Sequence, residues 1–288
     1  MTATVLLTRA AQQTEPMKSQ LENIGFKVYV QPVIEILPPD SWDEVDDVIF
    51  DYSWCFAASA LVFTSSNGVK FFFDRVKEEC DGIPFDLYMS DFAAVGPDTN
   101  ETLKSYIKRD ADMIPAETFN AEGLLEEFKR RLNKTGYKNY KDNPEGRGRV
   151  PLIMIIRGSR SKDVLKKGLT ELGAKVKELT VYQSVDVKEV EPEIAAMMSE
   201  GKIDWTTAMS PAAAKSLIRL FGNDLHKTKI VSISPAVSQV LIENGYQPAL
   251  TAKQSSVEGI IEALSAALIS GHCRIKRVFT RIRRFFKC

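Results

Sequence analysis

The sequence predicts an α/β protein with parallel sheets, organised as two domains that derive from a duplicated unit. Short β-branched runs alternate with helical patterns along the chain, which is typical of parallel strands joined by crossover helices. Blocks of similar sequence also recur in the same order in both halves of the chain. A chain of 288 residues, 44% of them hydrophobic, is long enough to form two hydrophobic cores.

The alternation divides the chain into strands and helices. The predicted strands are Val5–Thr8, Val28–Val30, Ala60–Thr64, Ala93–Val95, Leu152–Ile156, Val176–Leu179, Thr206–Met209 and Ile230–Ile233. The predicted helices are Gln12–Ile24, Val69–Glu79, Ala121–Leu132, Lys162–Leu172, Ala212–Leu220 and Val257–Ile269. The segment from Asn133 to Arg149 is polar and contains Gly and Pro, so we expect an exposed loop there.

The repeat is visible in both composition and spacing. Gly25 follows Arg9 by 16 positions, and Gly173 follows Arg157 by the same number. Further blocks match in pairs: Leu61–Ser66 with Thr207–Pro211, Ala94–Pro97 with Ser232–Pro235, and Ala121–Phe128 with Val257–Leu264. Because the blocks keep their order, duplication explains them better than chance.

The turns that follow the strands are rich in Ser, Thr, Gly and Pro. They are Thr64–Gly68, Gly96–Thr99, Arg157–Ser161, Ser210–Pro211 and Ser234–Ser238. In an open parallel sheet such turns lie where ligands bind, and helix N-termini favour anions. Each turn alone is also an ordinary helix cap. Together, the paired turns predict a small polyanionic substrate in the cleft between the domains.

Composition excludes several other classes of function. Basic and acidic residues balance at 38 each, which gives no global bias toward nucleic acid. The four Cys and two His show no metal-ligand spacing, and Walker, dinucleotide-binding and nucleophile-elbow motifs are absent. We therefore expect neither metal nor cofactor. Scattered thiols, an N-terminus without a signal-peptide pattern and the lack of a membrane-spanning run predict a cytoplasmic protein.

Taken in order, the motifs resemble those of the uroporphyrinogen-III synthase family. The resembling segments are Val5–Arg9, Leu61–Ser65, Ala94–Thr99, Asn120–Leu124, Leu172–Val176, Thr180–Gln183, Ser210–Pro211 and Thr251–Ala252. The resemblance implies two flavodoxin-like domains joined by a two-stranded connection. Residues 1–37 with 185–270 would form the first domain and residues 38–184 the second. The chain would cross between them at Val33–Ile36 and Thr180–Ser184.

The resemblance also implies the reaction. The family cyclises the linear tetrapyrrole hydroxymethylbilane to uroporphyrinogen III, with inversion of ring D and loss of water, in haem biosynthesis. The enzyme would be a cofactor-free monomer, and its substrate carries eight carboxylates. A rival interpretation is a non-catalytic tetrapyrrole- or anion-sensing module of the same fold.

By position in the motifs, Tyr182 is the candidate proton donor, and its alternative role is packing at the interdomain connection. The candidate substrate-binding residues are Thr64, Ser65, Gly96, Thr99, Ser210 and Lys229. Lys229 is interpreted either as a carboxylate partner or as a solvated strand start. Arg9 and Arg157 hold equivalent places in the repeat, where each would contact substrate or brace its turn.

One turn departs from the family pattern. Ser234–Val237 stands where the family usually has a Gly-Pro-Thr turn. We expect Ser234 or Ser238 to supply the hydroxyl that the family's threonine would provide.

The last segment, Gly271–Cys288, lies outside the family pattern. It contains seven basic residues and no acidic ones, so the rest of the chain has 31 basic against 38 acidic residues. Its apolar residues recur at helical spacing, which predicts a basic amphipathic helix that binds an anionic membrane surface or an acidic partner. Contact with the acidic body of the chain and a solvated extension are the alternatives.

Overall fold

The computed structural model describes residues 2–10, 14–50, 58–80, 82–84, 90–134, 151–161 and 163–271. The predicted amphipathic tail lies outside the described residues, apart from Gly271, which ends a helix. So does the predicted loop, apart from Asn133 and Lys134, which belong to a helix.

The chain divides into two compact units. One unit comprises Met1–Glu35 and the chain from Val185 onward, and the other comprises Ile36–Ser184. Each contains its own five-stranded sheet.

The strands of the first unit come from both of the chain segments that form it. Its strands are β1 (Thr4–Leu7), β2 (Lys27–Val30), β8 (Trp205–Ala208), β9 (Lys229–Ser232) and β10 (Leu250–Thr251). Its helices are α1 (Glu15–Asn23), α7 (Pro192–Ser199), α8 (Pro211–Phe221), α9 (Pro235–Glu243) and α10 (Val257–Gly271), with a 3₁₀ turn at Gly222–Lys227. The strand order is β10-β9-β8-β1-β2, and all neighbouring pairs are parallel.

The second unit is continuous in sequence. Its strands are β3 (Ile34–Leu37), β4 (Ala58–Phe63), β5 (Asp91–Ala94), β6 (Leu152–Gly158) and β7 (Lys175–Asp186). Its helices are α2 (Asp43–Phe50), α3 (Ser66–Glu79), α4 (Pro97–Ile107), α5 (Ala121–Lys134) and α6 (Val164–Glu171). The strand order is β3-β7-β6-β4-β5, with β4, β5, β6 and β7 paired in parallel.

Both sheets are buried on both faces. In β1, Val5 and Leu7 pack into one apolar cluster and Leu6 into another, because successive side chains of a strand point to opposite faces. In β4, Leu61 and Val62 divide between two clusters in the same way. Helices on both faces explain why central strands such as β1 and β6 are continuous apolar runs rather than alternating ones.

Capping residues set the starts of several helices. Ser210 and Ser234 precede α8 and α9, and each helix then begins with proline, whose fixed φ suits the first helical position. Gly96 and Pro97 open α4 in a related way. α4 and α9 were not predicted as helices, although a capping residue followed by proline precedes or opens both of them and favours a helix start.

The prediction of an α/β fold with parallel sheets is confirmed. Predicted strands and helices agree with the observed ones to within three residues at each end, except that β7 continues to Asp186, beyond its predicted end at Leu179. Two short helices, α2 and α7, and the two-residue strand β10 were not predicted. None of the described helices is both long and apolar enough to span a bilayer.

Candidate functional site

The carboxyl edge of the first sheet is built by the turns after β1, β8 and β9, and we call it the first edge. The strand order reverses between β1 and β8, which is where open α/β sheets form a ligand crevice. Thr8 Oγ1 donates to the carbonyl of Thr207 at 2.7 Å, and Thr207 Oγ1 accepts from Thr8 N–H at 3.2 Å. These buried hydrogen bonds join the carboxyl ends of β1 and β8. Arg9 follows β1, and Ser210 follows β8.

Two serines cap helices at the first edge. Ser210 Oγ accepts the Ala213 N–H at 3.0 Å, and Ser234 Oγ accepts the Val237 N–H at 3.4 Å. Both serines are partly exposed. The remaining first-turn N–H groups and the helix dipole give each turn the polarity of an anion site.

Ser238 lies in a different environment from Ser234. Its Oγ lies 2.7 Å from Ser232 Oγ and 2.8 Å from Thr251 Oγ1, and the side chain is buried. Of the two serines expected to replace the family's threonine, Ser234 is therefore the more accessible. Sequence analysis had no signal for the Ser232–Ser238–Thr251 hydroxyl cluster.

The carboxyl edge of the second sheet, the second edge, is built by the turns after β4, β5 and β6. Here the strand order reverses between β6 and β4. Thr64 Oγ1 donates to the Ile156 carbonyl at 3.2 Å, which ties the two strands together. Ser65 caps α3 by accepting the Gly68 N–H at 3.0 Å.

Tyr182 joins the second edge. Its Oη lies 3.1 Å from Ser65 Oγ, and either oxygen can donate. The ring is 8% exposed and stacks on Phe71 at a centroid distance of 5.8 Å. The structure therefore brings the candidate acid together with Ser65 and, through the same turn, with Thr64.

Arg157 is held by its own turn. Its guanidinium binds Glu178, the Ser161 carbonyl and, at 3.1 Å, Asp163, and only 11% of the side chain is exposed. Burial by itself would lower the pKa of Arg157, but hydrogen bonds and charges from Glu178 and Asp163 outweigh burial and raise that pKa. Of the two roles expected, bracing the turn is the one that these contacts support.

Arg9, the equivalent arginine, lies partly exposed after β1. Its carbonyl accepts a hydrogen bond from Thr14 Oγ1 at 3.3 Å. The arginine therefore borders the switch point of the first sheet, as Arg157 borders that of the second.

Gly96 and Thr99 lie at the start of α4. A Cβ built on Gly96 would lie 3.0 Å from Phe119 Cβ, so the glycine makes room for that side chain. Thr99 is 4% exposed. Phe119 itself is 53% exposed, and sequence analysis did not single it out.

A cavity of about 480 Å³ opens at the second edge. It is lined in part by Thr64, Phe119, Asn120, Arg157 and Lys166. Asn120 Oδ1 accepts the Gly123 N–H at 2.8 Å and so caps α5 beside the cavity. Two predicted site residues, Thr64 and Arg157, thus share one opening.

Lys229 lies apart from the first edge. It is the first residue of β9 and pairs with Trp205, the first residue of β8, at the amino ends of these strands. Its Nζ lies 5.4 Å from the centre of the Trp205 ring. At roughly 3.3 Å per residue, about 10 Å of strand separates Lys229 from Ser232 at the other end.

Comparison with known proteins gives one consistent result. The sequence model described as uroporphyrinogen-III synthase HemD matches residues 15–262. The uroporphyrinogen-III synthase of Chlorobaculum parvum is 26% identical over 269 residues, covering 92% of this chain and 99% of that protein. The uroporphyrinogen-III synthase of Synechococcus elongatus is 25% identical over 275 residues, covering 91% and 94%.

A solved structure shares the fold. It is the crystal structure of a mutant uroporphyrinogen III synthase from the extremely thermophilic bacterium Thermus thermophilus, which matches with a TM-score of 0.60 at 16% identity. The match covers 93% of this chain and 99% of that one. Since the sequence model spans most of the chain and both named relatives align over nearly their whole length, the chain belongs to the uroporphyrinogen-III synthase family.

Proposed function

We propose that this chain cyclises hydroxymethylbilane to uroporphyrinogen III, inverting ring D and releasing water. The observation that carries the proposal is the family match over residues 15–262. We also propose a cytoplasmic location, which the four scattered cysteines favour because disulfide-bonded proteins are rare in that compartment.

The proposed reaction depends on positioning more than on reactive groups. The terminal hydroxymethyl C–O bond breaks, and the oxygen takes a proton and departs as water, leaving an electron-deficient azafulvene. The last pyrrole attacks through its substituted carbon, and the spiro intermediate fragments and recloses with ring D inverted. Because the bilane also closes spontaneously without inversion, the protein must hold the chain ends in the inverting geometry.

The substrate carboxylates are proposed to bind at the turns of the first and second edges. Ser65, Ser210 and Ser234 each cap a helix there, and Gly96 opens another. First-turn N–H groups and the helix dipole favour carboxylates without an equal number of arginines. Arg9 and Thr64 complete the proposed contacts, with Arg157 bracing the turn beside them, whereas the Thr99 side chain is buried at the start of α4.

Tyr182 is the proposed proton donor to the leaving hydroxide. With Ser65 donating to Tyr182 Oη, the phenolic proton is available to the substrate. The phenolate that remains would lie beside the N-terminus of α3, whose dipole stabilises negative charge. The proton released when the last pyrrole regains aromaticity balances the one that the tyrosine gives.

We further propose that the two units are duplicated flavodoxin-like domains, with strands β3 and β7 as the connection. The pairing of Val5 with Val28 and that of Ile153 with Val176 have the same spacing. The strand order β2-β1-β8-β9 of the first sheet corresponds to β7-β6-β4-β5 of the second. The pairing of β1 with β8 matches that of β6 with β4, and the pairing of β8 with β9 matches that of β4 with β5, each in the same register. In the first unit this is the flavodoxin-like order.

The correspondence crosses the two halves of the chain. The early strands β1 and β2 match β6 and β7, whereas β4 and β5 match β8 and β9. Each unit therefore combines an early segment of one repeat with a late segment of the other. A tandem repeat in which the early segment of each copy pairs with the late segment of the other copy accounts for this arrangement. It also accounts for the discontinuous first unit.

A pair of glycines supports the same proposal. A Cβ built on Gly123 would overlap the Thr118 carbonyl oxygen, and one built on Gly259 would overlap the Gln254 carbonyl oxygen. Both glycines occupy the first turn of a helix, five positions after the oxygen concerned. The repeat places Glu-Gly at 122–123 and again at 258–259. The same steric contact with a carbonyl oxygen thus explains the glycine in both units.

The test is a coupled assay. Protein treated with a chelator is incubated with enzymatically generated hydroxymethylbilane, and the oxidised uroporphyrin isomers are separated by chromatography. We expect isomer III without added metal or cofactor. Isomer I alone from folded protein would contradict the enzymatic proposal and favour the non-catalytic binding module.

A further inference from the structure

The ring of Tyr182 rests on a glycine. Gly158, the last residue of β6, pairs with Tyr182 of β7, and the register between the two strands shifts just before it, since Arg157 pairs with Thr180. A Cβ built on Gly158 would lie 2.7 Å from Tyr182 Oη and would overlap the ring atoms Cζ and Cε2. The ring therefore fills the space that any other side chain at position 158 would need.

Three further contacts hold the same tyrosine. Phe71 stacks on its ring at an interplanar angle of 28°, and Ser65 Oγ lies 3.1 Å from its hydroxyl. The Ser159 N–H donates to the Tyr182 carbonyl at 3.0 Å. Ring, hydroxyl and backbone are each fixed by a different neighbour.

The turn itself does not require glycine. Ala10 follows Arg9 as Gly158 follows Arg157, and Ala10 is buried at 8% exposure. Gly158 is also not among the glycines with positive φ. The need for glycine at position 158 therefore comes from Tyr182 and not from backbone conformation.

We infer that Gly158 is a positioning residue for the reaction: its missing side chain seats Tyr182 so that the phenolic oxygen lies on Ser65. The inference rests on the proposed role of Tyr182 as proton donor. A side chain at position 158 would push the ring away and separate its hydroxyl from Ser65 and the N-terminus of α3. Proton donors act only at the correct distance from the leaving oxygen, so the loss falls on turnover.

Gly158→Ala tests the inference through kinetics. We expect kcat to fall at least about 10-fold and KM to change by less than about 3-fold, since displacement of a reacting group by 1 Å can cost roughly 100-fold in rate. In a Tyr182→Phe background the same substitution should add little, because both changes act through one hydroxyl. Independent, multiplicative losses would overturn the inference.

Gly168→Ala is the matched control. A Cβ at Gly168 would overlap the Leu125 side chain in the same unit, so it causes steric stress without touching Tyr182. It should lower Tm and leave kcat unchanged. If Gly158→Ala does not fold, Tyr182→Ala in the same chain should restore folding, because the added methyl group then occupies the space that the ring has left. A double variant that remains unfolded while Tyr182→Ala alone folds would overturn the inference.

A spectroscopic readout separates this inference from the proposed function. In protein carrying ¹³C-labelled tyrosine, the Tyr182 Cζ signal is assigned by its loss in Tyr182→Phe. Gly158→Ala should shift that signal and Gly168→Ala should not; an unshifted signal in Gly158→Ala would overturn the inference. Wild-type protein that yields only isomer I would contradict the proposed function and still leave the shift measurable.

Discussion

At the scale of single residues, the bond between Ser65 and Tyr182 joins positions 117 apart in sequence. Sequence analysis identified both residues from their motifs but had no means of pairing them. The contact forms because β6 pairs with β7 on one side and with β4 on the other, which brings the turn after β4 near Tyr182. A register of this kind follows from packing of the whole sheet and leaves no local pattern in the sequence.

Replacing Tyr182 by Phe keeps the ring on Gly158 and Phe71 and removes only the hydroxyl. We expect kcat to fall by roughly 10²–10⁴-fold and KM to change little, since general acid catalysis contributes that much. Steady-state rates with hydroxymethylbilane give both constants. Tyr246→Phe is the matched control, because Tyr246 is also 8% exposed and belongs to the first unit. Wild-type kcat in Tyr182→Phe would remove Tyr182 from the mechanism.

Replacing Arg157 by Met distinguishes bracing from substrate contact. The change leaves Glu178 and the Ser161 carbonyl without their guanidinium partner, so the free energy of unfolding should fall by about 1–3 kcal/mol. Urea denaturation measures this loss, and KM should change little. Arg130→Met, which removes the ion pair between an exposed guanidinium and Glu127, should leave stability close to that of the wild type. A large rise in KM with unchanged stability would instead favour substrate contact.

At the scale of elements, the start and the far end of α4 are both fixed by polar contacts. Asn100 is buried, donates from Nδ2 to Asp110 Oδ1 at 2.9 Å and accepts the Ala111 N–H at 2.7 Å. Hydrogen bonds from Asn100 and Lys104 lower the pKa of Asp110. The side chain of Asn100 thereby ties the first turns of α4 to the segment that follows this helix.

The pH dependence of Asn100→Ala follows from that contact. The substitution should lower the free energy of unfolding at neutral pH, because the buried Asn100 amide no longer bonds to Asp110 and to the Ala111 N–H. Since the folded pKa of Asp110 lies below its unfolded value, its stabilising contribution is present above pH ~4 and is lost as the pH falls through the folded pKa. The stability gap between wild type and Asn100→Ala should therefore narrow on acidification, as measured by urea denaturation.

The exposed Thr102→Ala on the same helix serves as the control. A gap that stays constant from pH 7 to pH 3 would contradict the assigned link between Asn100 and Asp110.

Sequence patterns predicted elements better than they predicted the site. β1 and β6 were found because their apolar, β-branched runs end at an arginine, and α10 because its periodicity is long. The short helix α2 carries too few turns for a clear period. Lys229 was expected among the binding residues from its motif, with a solvated strand start as the alternative. As the first residue of β9 it lies at the amino end of a parallel sheet, which supports the alternative.

At the scale of the whole molecule, hydroxyls and helix N-termini recur at the carboxyl edge of each sheet. Ser65 and Ser210 cap equivalent helices after matching strands, and Gly96 and Ser234 occupy a second matching pair. The two edges differ where Tyr182 rests on Gly158, which has Ala10 as its counterpart. We therefore propose that both units bind anions and that the second unit alone donates the proton.

The most direct test of the account is the partition of hydroxymethylbilane between enzymatic and spontaneous closure. At a fixed bilane supply, increasing amounts of the protein should raise the fraction of isomer III toward completion. Tyr182→Phe should need far more protein to reach the same fraction, because its slower turnover competes poorly with spontaneous closure. A product that remains isomer I at every concentration of folded wild-type protein would contradict the account.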